Sequence, residues 1–287
     1  MTVSYWPLTI NGAEKDRYII CDYGSNLLTQ KDSKGEFGVF VAATSRCFSD
    51  LSMSDAISRL VDLEFTAIEI MIHESDGHLK PSAVSENLNS VCKICRKTQR
   101  LTPVAYSFDA DSANPAYYEQ FAACCTLAKA TKVVGISVRS AELGTPFNAE
   151  IERLRDLVAI SLKDGVRVGL VTEIGRMSGD PETAAVFCDN VPGLGITLDP
   201  SHYICGQKGE VDLEPLLKHT IHVRLRDTSK DELQVRIGQG LVEYGRLVSQ
   251  LRKHKYNRAL CVDIAPTDDT DQVAELRKMR LLLESLL

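Results

Sequence analysis

Apolar runs of strand length recur eight times between residue 38 and the C-terminus, and each is followed by a longer segment with the periodicity of a helix. The strand-like runs span residues 38–44, 67–73, 102–108, 133–139, 166–173, 194–199, 221–227 and 259–264. The helical segments begin near Ser52, Pro81, Pro115, Asn148, Pro181, Asp212, Val242 and Asp271. Eight strand-helix units in 287 residues favour parallel strands that close on themselves.

The predicted fold class is α/β, a (β/α)8 or TIM barrel over residues 37–287, with a short N-terminal extension over residues 1–36. A doubly wound open sheet is the competing fold, but no glycine-rich phosphate loop follows the first predicted strand. The extension sustains no helical period and contains a polar run, residues 29–36, that is typical of a loop. We expect residues 18–23 to form a small β-hairpin with a neighbouring segment.

The net charge and the cysteine content indicate which binding partners and which cellular location to expect. The net charge of −6 disfavours a nucleic-acid surface. No stretch of about 18 apolar residues is present and the N-terminus lacks signal-peptide features, so we expect no membrane partner and a cytoplasmic protein. The nine cysteines are odd in number and mostly in apolar contexts, which indicates reduced thiols. Cys92 and Cys95 have the spacing of a redox or zinc pair, but we interpret them as core packing because they lie in mid-helix without a second pair.

Ionisable residues end four consecutive predicted strands. Because side chains alternate along a strand, Glu173, Asp199, Arg224 and Asp263 should all point into the mouth of the barrel. Buried charge is costly unless it is used, and three converging carboxylates need a cation between them. Oxygen ligands suit a hard divalent metal such as Mn²⁺, Mg²⁺ or Co²⁺, and an inserted arginine is the alternative. A salt-bridged strand end is the plain structural explanation for any one of these residues alone.

Five motifs, in this order and spacing, resemble the xylose-isomerase-like TIM barrels, a superfamily of sugar and sugar phosphate isomerases and epimerases. They are TAIEI (66–70), VGLVTEI (168–174), LDPSHY (198–203), IHVRLRD (221–227) and IGQGLVEYGRLVSQL (237–251). The resemblance covers about residues 38–287. It implies a barrel fold, a sugar-like substrate and a single divalent metal ion.

The resemblance also implies the residues that would hold this metal. Glu173 and Asp199 match two family ligands, and Asp263 replaces a glutamate on the last strand. His202 matches a histidine that contacts substrate in sugar epimerases. The position of the fourth ligand, a histidine in the family, is Arg224, whose guanidinium has no lone pair for a metal. We therefore expect a site for Mn²⁺, Mg²⁺, Co²⁺ or Zn²⁺ only if Arg224 stays away, and otherwise Arg224 should pair with one of the three carboxylates.

Two functions follow from these residues. In the first, the chain is an isomerase or epimerase of a small polyhydroxy carbonyl compound that works through a cis-enediol, with Glu173 and Asp263 as acid and base. In the second, the barrel has lost metal chemistry and binds a carbohydrate-like ligand or a protein without turnover. DNA repair is disfavoured by the acidic charge and by too few histidines at strand ends. A homodimer is left open. The expected substrate-binding residues are His73, His202, Arg224 and Arg226.

Overall fold

The computed structural model describes residues 5–10, 13–22, 27–31, 37–206 and 211–287. Four N-terminal strands form an antiparallel sheet in chain order: β1 (Tyr5–Ile10), β2 (Ala13–Asp22), β3 (Leu27–Lys31) and β4 (Phe37–Gly38). The pairing of β2 with β1 and with β3 confirms a hairpin around residues 18–22. Tyr23, the last residue of the predicted hairpin segment, lies outside the described residues. The division into an extension and a barrel domain stays a prediction.

The remaining strands form a closed parallel barrel, which confirms the predicted fold class. They are β5 (Phe40–Thr44), β6 (Ala67–His73), β7 (Thr102–Asp109), β8 (Gly135–Arg139), β9 (Arg167–Val171), β10 (Leu194–Leu198), β11 (Thr220–Leu225) and β12 (Ala259–Val262). Neighbours in the barrel are neighbours in sequence, and β12 pairs with β5 to close it. Glu173, Asp199 and Asp263 lie one or two residues beyond their strands, where the backbone leaves the ladder and enters the mouth.

Within the described ranges, nine helices connect the barrel strands and a tenth follows the last strand. They are α1 (Met53–Asp62), α2 (Pro81–Glu86), α3 (Leu88–Cys95), α4 (Tyr117–Thr131), α5 (Phe147–Leu162), α6 (Pro181–Asn190), α7 (Ser201–Ile204), α8 (Glu214–Leu217), α9 (Tyr244–Lys253) and α10 (Gln272–Ser285). Side chains of Ser52, Asp180 and Asp271 accept backbone N–H bonds at the starts of α1, α6 and α10. The helix expected at Pro115 begins at Tyr117 instead. None of the helices in the described ranges has the length and apolar character needed to span a bilayer.

Small side chains fill the lower lumen of the barrel. Ala42, Ala67, Ala259 and Cys261 form one buried cluster there. A Cβ added at Gly169 would lie 2.4 Å from Thr197 Oγ1, so this strand position requires glycine.

A separate, larger core lies between the strands and the helices. Cys92 and Cys95 are free thiols buried in α3, in agreement with the packing interpretation.

Candidate active site

Arg226 lies between two carboxylates at the carboxyl ends of the barrel strands. Its Nη2 is 2.8 Å from Asp199 Oδ2 and 2.8 Å from Asp263 Oδ2, and its Nε is 3.1 Å from Asp199 Oδ2. All three side chains are buried. A guanidinium therefore occupies the position between Asp199 and Asp263 where a shared cation would bind.

Asp263 has a second arginine partner that the sequence motifs do not reveal. Arg46 pairs with it through Nη2 and donates from Nε to Oδ1 at 2.9 Å, while Thr44 Oγ1 donates to Oδ1 at 2.8 Å. Arg46 lies in a 3-10 turn, Ser45–Phe48, directly after β5. Burial alone would raise the pKa of Asp263, but the guanidinium groups of Arg46 and Arg226 hold it far below its ordinary range.

Asp199 is bound from three sides. Besides Arg226, it accepts from the hydroxyl of Ser201 and from the Ser201 N–H at 3.0 Å. His202 lies beside it, with Nε2 3.7 Å from Asp199 Oδ2, and its Nδ1 accepts the N–H of Ile174 at 3.2 Å. Burial would raise the pKa of Asp199, yet Arg226 and His202 lower it. Asp199 thus remains an anion in the folded protein.

Glu173 pairs with different arginines from those that contact Asp199 and Asp263. It accepts from Arg139 Nε at 2.8 Å and from Arg139 Nη2, and Arg176 Nε lies 3.3 Å away. Arg139 also donates to Asp109 at 2.9 Å. Burial would raise the pKa of Glu173, but hydrogen bonding and charge from Arg139 lower it. Each carboxylate predicted as a metal ligand is therefore paired with at least one arginine, and Asp199 and Asp263 share Arg226.

The expected partner of Arg224 has to be corrected. Its Nη2 lies 2.5 Å from Glu69 Oε1 and its Nε lies within hydrogen-bond distance of both oxygens, so it pairs with Glu69 and not with Glu173, Asp199 or Asp263. His222 Nε2 is 3.0 Å from Glu69 Oε2. Strand alternation places residues 222, 224 and 226 on the same lumen face of the chain. Arg226 lies two residues closer to the mouth, and its side chain contacts Asp199 and Asp263 instead.

Neither candidate set of donors fits a divalent metal. Within the described ranges, one group of three possible metal ligands has its donor atoms within 4.8 Å of one another. It consists of Glu69, His222 and Cys261 and does not include the predicted ligands. Oxygen, nitrogen and sulfur donors suit Zn²⁺. However, Arg224 occupies both oxygens of Glu69, and burial raises the pKa of the Cys261 thiol well above its ordinary value. A metal needs the thiolate and a free carboxylate.

His73 lies at the same mouth, on the side of β6 and β7. Its Nδ1 is 3.1 Å from Asp76 Oδ1 and its Nε2 is 3.0 Å from Ser107 Oγ. Beside it a groove of about 830 Å³ runs along the ends of β6 to β9, lined among others by Asp109 and Arg139. Of the predicted substrate contacts, Arg226 and His202 therefore lie together, whereas Arg224 lies deeper and His73 faces the neighbouring strands.

Comparison with known proteins identifies the family. A family model described as xylose isomerase-like TIM barrel matches residues 57–282. A xylose isomerase domain protein from Planctomyces limnophilus is similar at 16% identity and a TM-score of 0.68, over 86% of this chain and 96% of that one. A xylose isomerase-like TIM barrel protein from Mycobacterium smegmatis in complex with magnesium shares 14% identity, with a TM-score of 0.67 over 86% of this chain and 98% of that one. A D-allulose 3-epimerase from Methylomonas sp. shares 12% identity, with a TM-score of 0.67 over 87% and 98%.

No curated protein matches the sequence. At these identities the solved structures show the fold alone, but the family model spans most of the chain and confirms the resemblance in the motifs. The chain belongs to the xylose isomerase-like TIM barrel family.

Proposed function

We propose that this chain is a sugar isomerase or epimerase that acts on a small polyhydroxy carbonyl compound without a metal ion. Family membership and epimerases of the same fold, including D-allulose 3-epimerase and L-ribulose 3-epimerase, support the reaction class. The observation that carries the metal-free part is Arg226, which lies between Asp199 and Asp263. The eight cysteines of residues 37–287 are free thiols, which supports a reducing, cytoplasmic location.

In this proposal arginine replaces the metal as the electrophile. The Arg46 side chain is 29% exposed and therefore accessible to a ligand, whereas the Arg226 side chain is 7% exposed. A carbonyl oxygen placed against Arg46 would be polarised, and the enediolate that forms would be stabilised by both guanidinium groups. The His202 side chain, which is 12% exposed, would contact a substrate hydroxyl. Asp263, with no exposed surface and four donors on its two oxygens, holds the arginines in place.

Glu173 is the carboxylate best placed to move a proton. Its side chain is 19% exposed and its partner Arg139 is 37% exposed, so both can meet a ligand. A paired carboxylate with a lowered pKa is a weak base. A substrate whose oxygens take over the hydrogen bonds of Arg139 would raise the pKa of Glu173 and make it a stronger base only when the substrate is bound.

Hydrogen exchange tests both parts of the proposal. The protein would be incubated with a panel of ketoses in D₂O with excess chelator, and deuterium at the carbon beside the carbonyl would be measured by NMR. We expect exchange by the native protein, a loss of at least a hundredfold in Glu173→Gln, and retention in Glu142→Gln, an exposed carboxylate on the groove that Arg139 lines. Exchange that needs an added metal would overturn the metal-free mechanism, and undiminished exchange in Glu173→Gln would overturn the base.

Binding without turnover is the second candidate. It is favoured by the ion pairs that Glu173 and Asp263 each form with arginines, because these pairs lower the pKa values of both carboxylates and make them weak bases. In that case calorimetry would detect binding of a sugar-like ligand while no member of the panel exchanges hydrogen.

A further inference from the structure

Three side chains beside the proposed sugar site form a hydrogen-bonded chain. Asp76 Oδ1 lies 3.1 Å from His73 Nδ1, and His73 Nε2 lies 3.0 Å from Ser107 Oγ. His73 ends β6, Asp76 follows in the next turn, and Ser107 lies on the adjacent strand β7. The strand register pairs Ser107 with Met71, which lies two residues before His73 at the end of β6. A carboxylate, an imidazole and a hydroxyl in this order are the parts of an activated nucleophile.

The charges around His73 suit a general base. Burial, the largest influence, lowers the pKa of His73, and Arg224 lowers it further, so the imidazole is neutral near pH 7. Asp109 and Asp76 act in the opposite direction and would stabilise the imidazolium that forms when the ring takes a proton. With the Nδ1 proton directed to Asp76, the Nε2 lone pair accepts the hydroxyl proton of Ser107.

We propose that Ser107, His73 and Asp76 form a nucleophilic triad that cleaves a small acyl ester of a polyhydroxy compound. Ser107 Oγ bonds to the acyl carbon while its proton passes to His73 Nε2. The ester C–O bond breaks, and the imidazolium returns the proton to the leaving alkoxide, which departs as the free hydroxyl compound. Water then attacks the acyl-serine with His73 as base, which releases the carboxylic acid and restores Ser107. The alcohol part of this substrate class rests on the proposed function, whereas the triad rests on its own geometry.

The size of the acyl group follows from the burial of the nucleophile. Ser107 is 3% exposed and the His73 side chain is 12% exposed, so access to the hydroxyl is narrow. The groove beside Asp109 offers room for the polyhydroxy part of the molecule, but the acyl carbon must reach into the lumen. An acetyl group is the chemistry that fits, and bulky acyl chains are excluded.

Covalent labelling tests the triad with a small reagent. The full-length protein would be treated with methanesulfonyl fluoride, and the modified residue identified by intact mass and peptide mapping. We expect one mesyl group on Ser107, no labelling in Ser107→Ala, and at least a hundredfold slower labelling in His73→Gln. Asp76→Asn should slow it about tenfold. Ser140→Ala, which removes another buried serine at this mouth that is bonded to Ser178 and to no imidazole, should label normally.

The pH profile and a second readout separate this triad from a structural role. Labelling should be constant near neutral pH and fall only in acid, below the ordinary imidazole range of about 6.5, because His73 must be neutral while Asp76, Asp109 and Arg224 keep their charges. Hydrolysis of an acetylated sugar should be lost in the same variants. Labelling elsewhere, or labelling of Ser107 that is unchanged in His73→Gln, would overturn the triad. Such a result would leave the proposed isomerase function untouched, because hydrogen exchange on ketoses depends on Glu173 and not on this triad.

Discussion

Replacing Arg226 with methionine should convert the mouth of the barrel into a cation site. In the native protein, Arg226 Nη2 is 2.8 Å from an oxygen of each of Asp199 and Asp263. A divalent ion held by both carboxylates would lie about 4 Å from the guanidinium, where repulsion is about 8 kcal/mol at an effective dielectric of 20. Methionine keeps much of the volume and removes this repulsion. The other guanidinium on Asp263, that of Arg46, has a side chain that is 29% exposed and can turn toward solvent when the ion binds.

The same substitution should first destabilise the protein. Breaking a buried ion pair costs about 3 to 5 kcal/mol, and the lower end applies because Asp263 keeps Arg46 and Thr44 while Asp199 keeps Ser201. A loss of about 3 kcal/mol should lower the melting temperature by roughly 6 to 10 °C in a domain of this size. Mn²⁺ at a hundred times its Kd adds about 2.7 kcal/mol and should restore most of it.

Thermal melts of chelator-stripped protein, titrated with Mn²⁺, Mg²⁺, Co²⁺ and Zn²⁺, would measure both effects. Arg280→Met is the matched control, because it removes a largely buried arginine that pairs with Glu64 and Glu284 away from the strand ends. It should lose stability without gaining a metal response. A saturable shift in the native protein that disappears in Asp199→Asn would refute the reasoning, since a metal would then bind in spite of Arg226.

Two further predictions concern the lumen. Burial alone would raise the pKa of Glu69, but Arg224 holds it far below its ordinary value of about 4.3. Glu69 therefore stabilises the fold above that pH, and its contribution falls by about 1.4 kcal/mol for each pH unit below it. Urea melts of Glu69→Gln should show about 3 to 5 kcal/mol less stability at pH 7, and the stability of this variant should depend on acid pH by one proton less. Gly169→Ala should cost about 1 to 3 kcal/mol because the new Cβ meets Thr197 Oγ1 at 2.4 Å. Gly135→Ala, on the neighbouring strand with nothing within 4 Å, should change stability by less than about 0.5 kcal/mol; equal losses in the two variants would contradict the steric argument.

Local pattern was enough to predict the barrel and the placement of charge at its mouth. The periodicity of a strand or a helix depends only on residues that are close in sequence, and the period of two along a strand decides which side chains face the lumen. This is why Glu173, Asp199 and Asp263 could be placed at one end of the barrel from the sequence, and why the family resemblance could be recognised from short motifs.

The choice of ion-pair partner was decided by the tertiary structure. Asp263 pairs with Arg46, 217 residues away in the chain, and Glu173 pairs with Arg139 on the preceding strand. The sequence shows that charges meet at the mouth, but whether Arg224 or Arg226 reaches a given carboxylate depends on side-chain reach and strand stagger, which differ by only a few ångström. The same holds for His73 and Ser107, which only the pairing of β6 with β7 brings together. Thus the sequence by itself determined that charged residues meet at the strand ends, and the closed barrel decided which of them pair, because the arginine pairs of Asp199 and Asp263 join different strands.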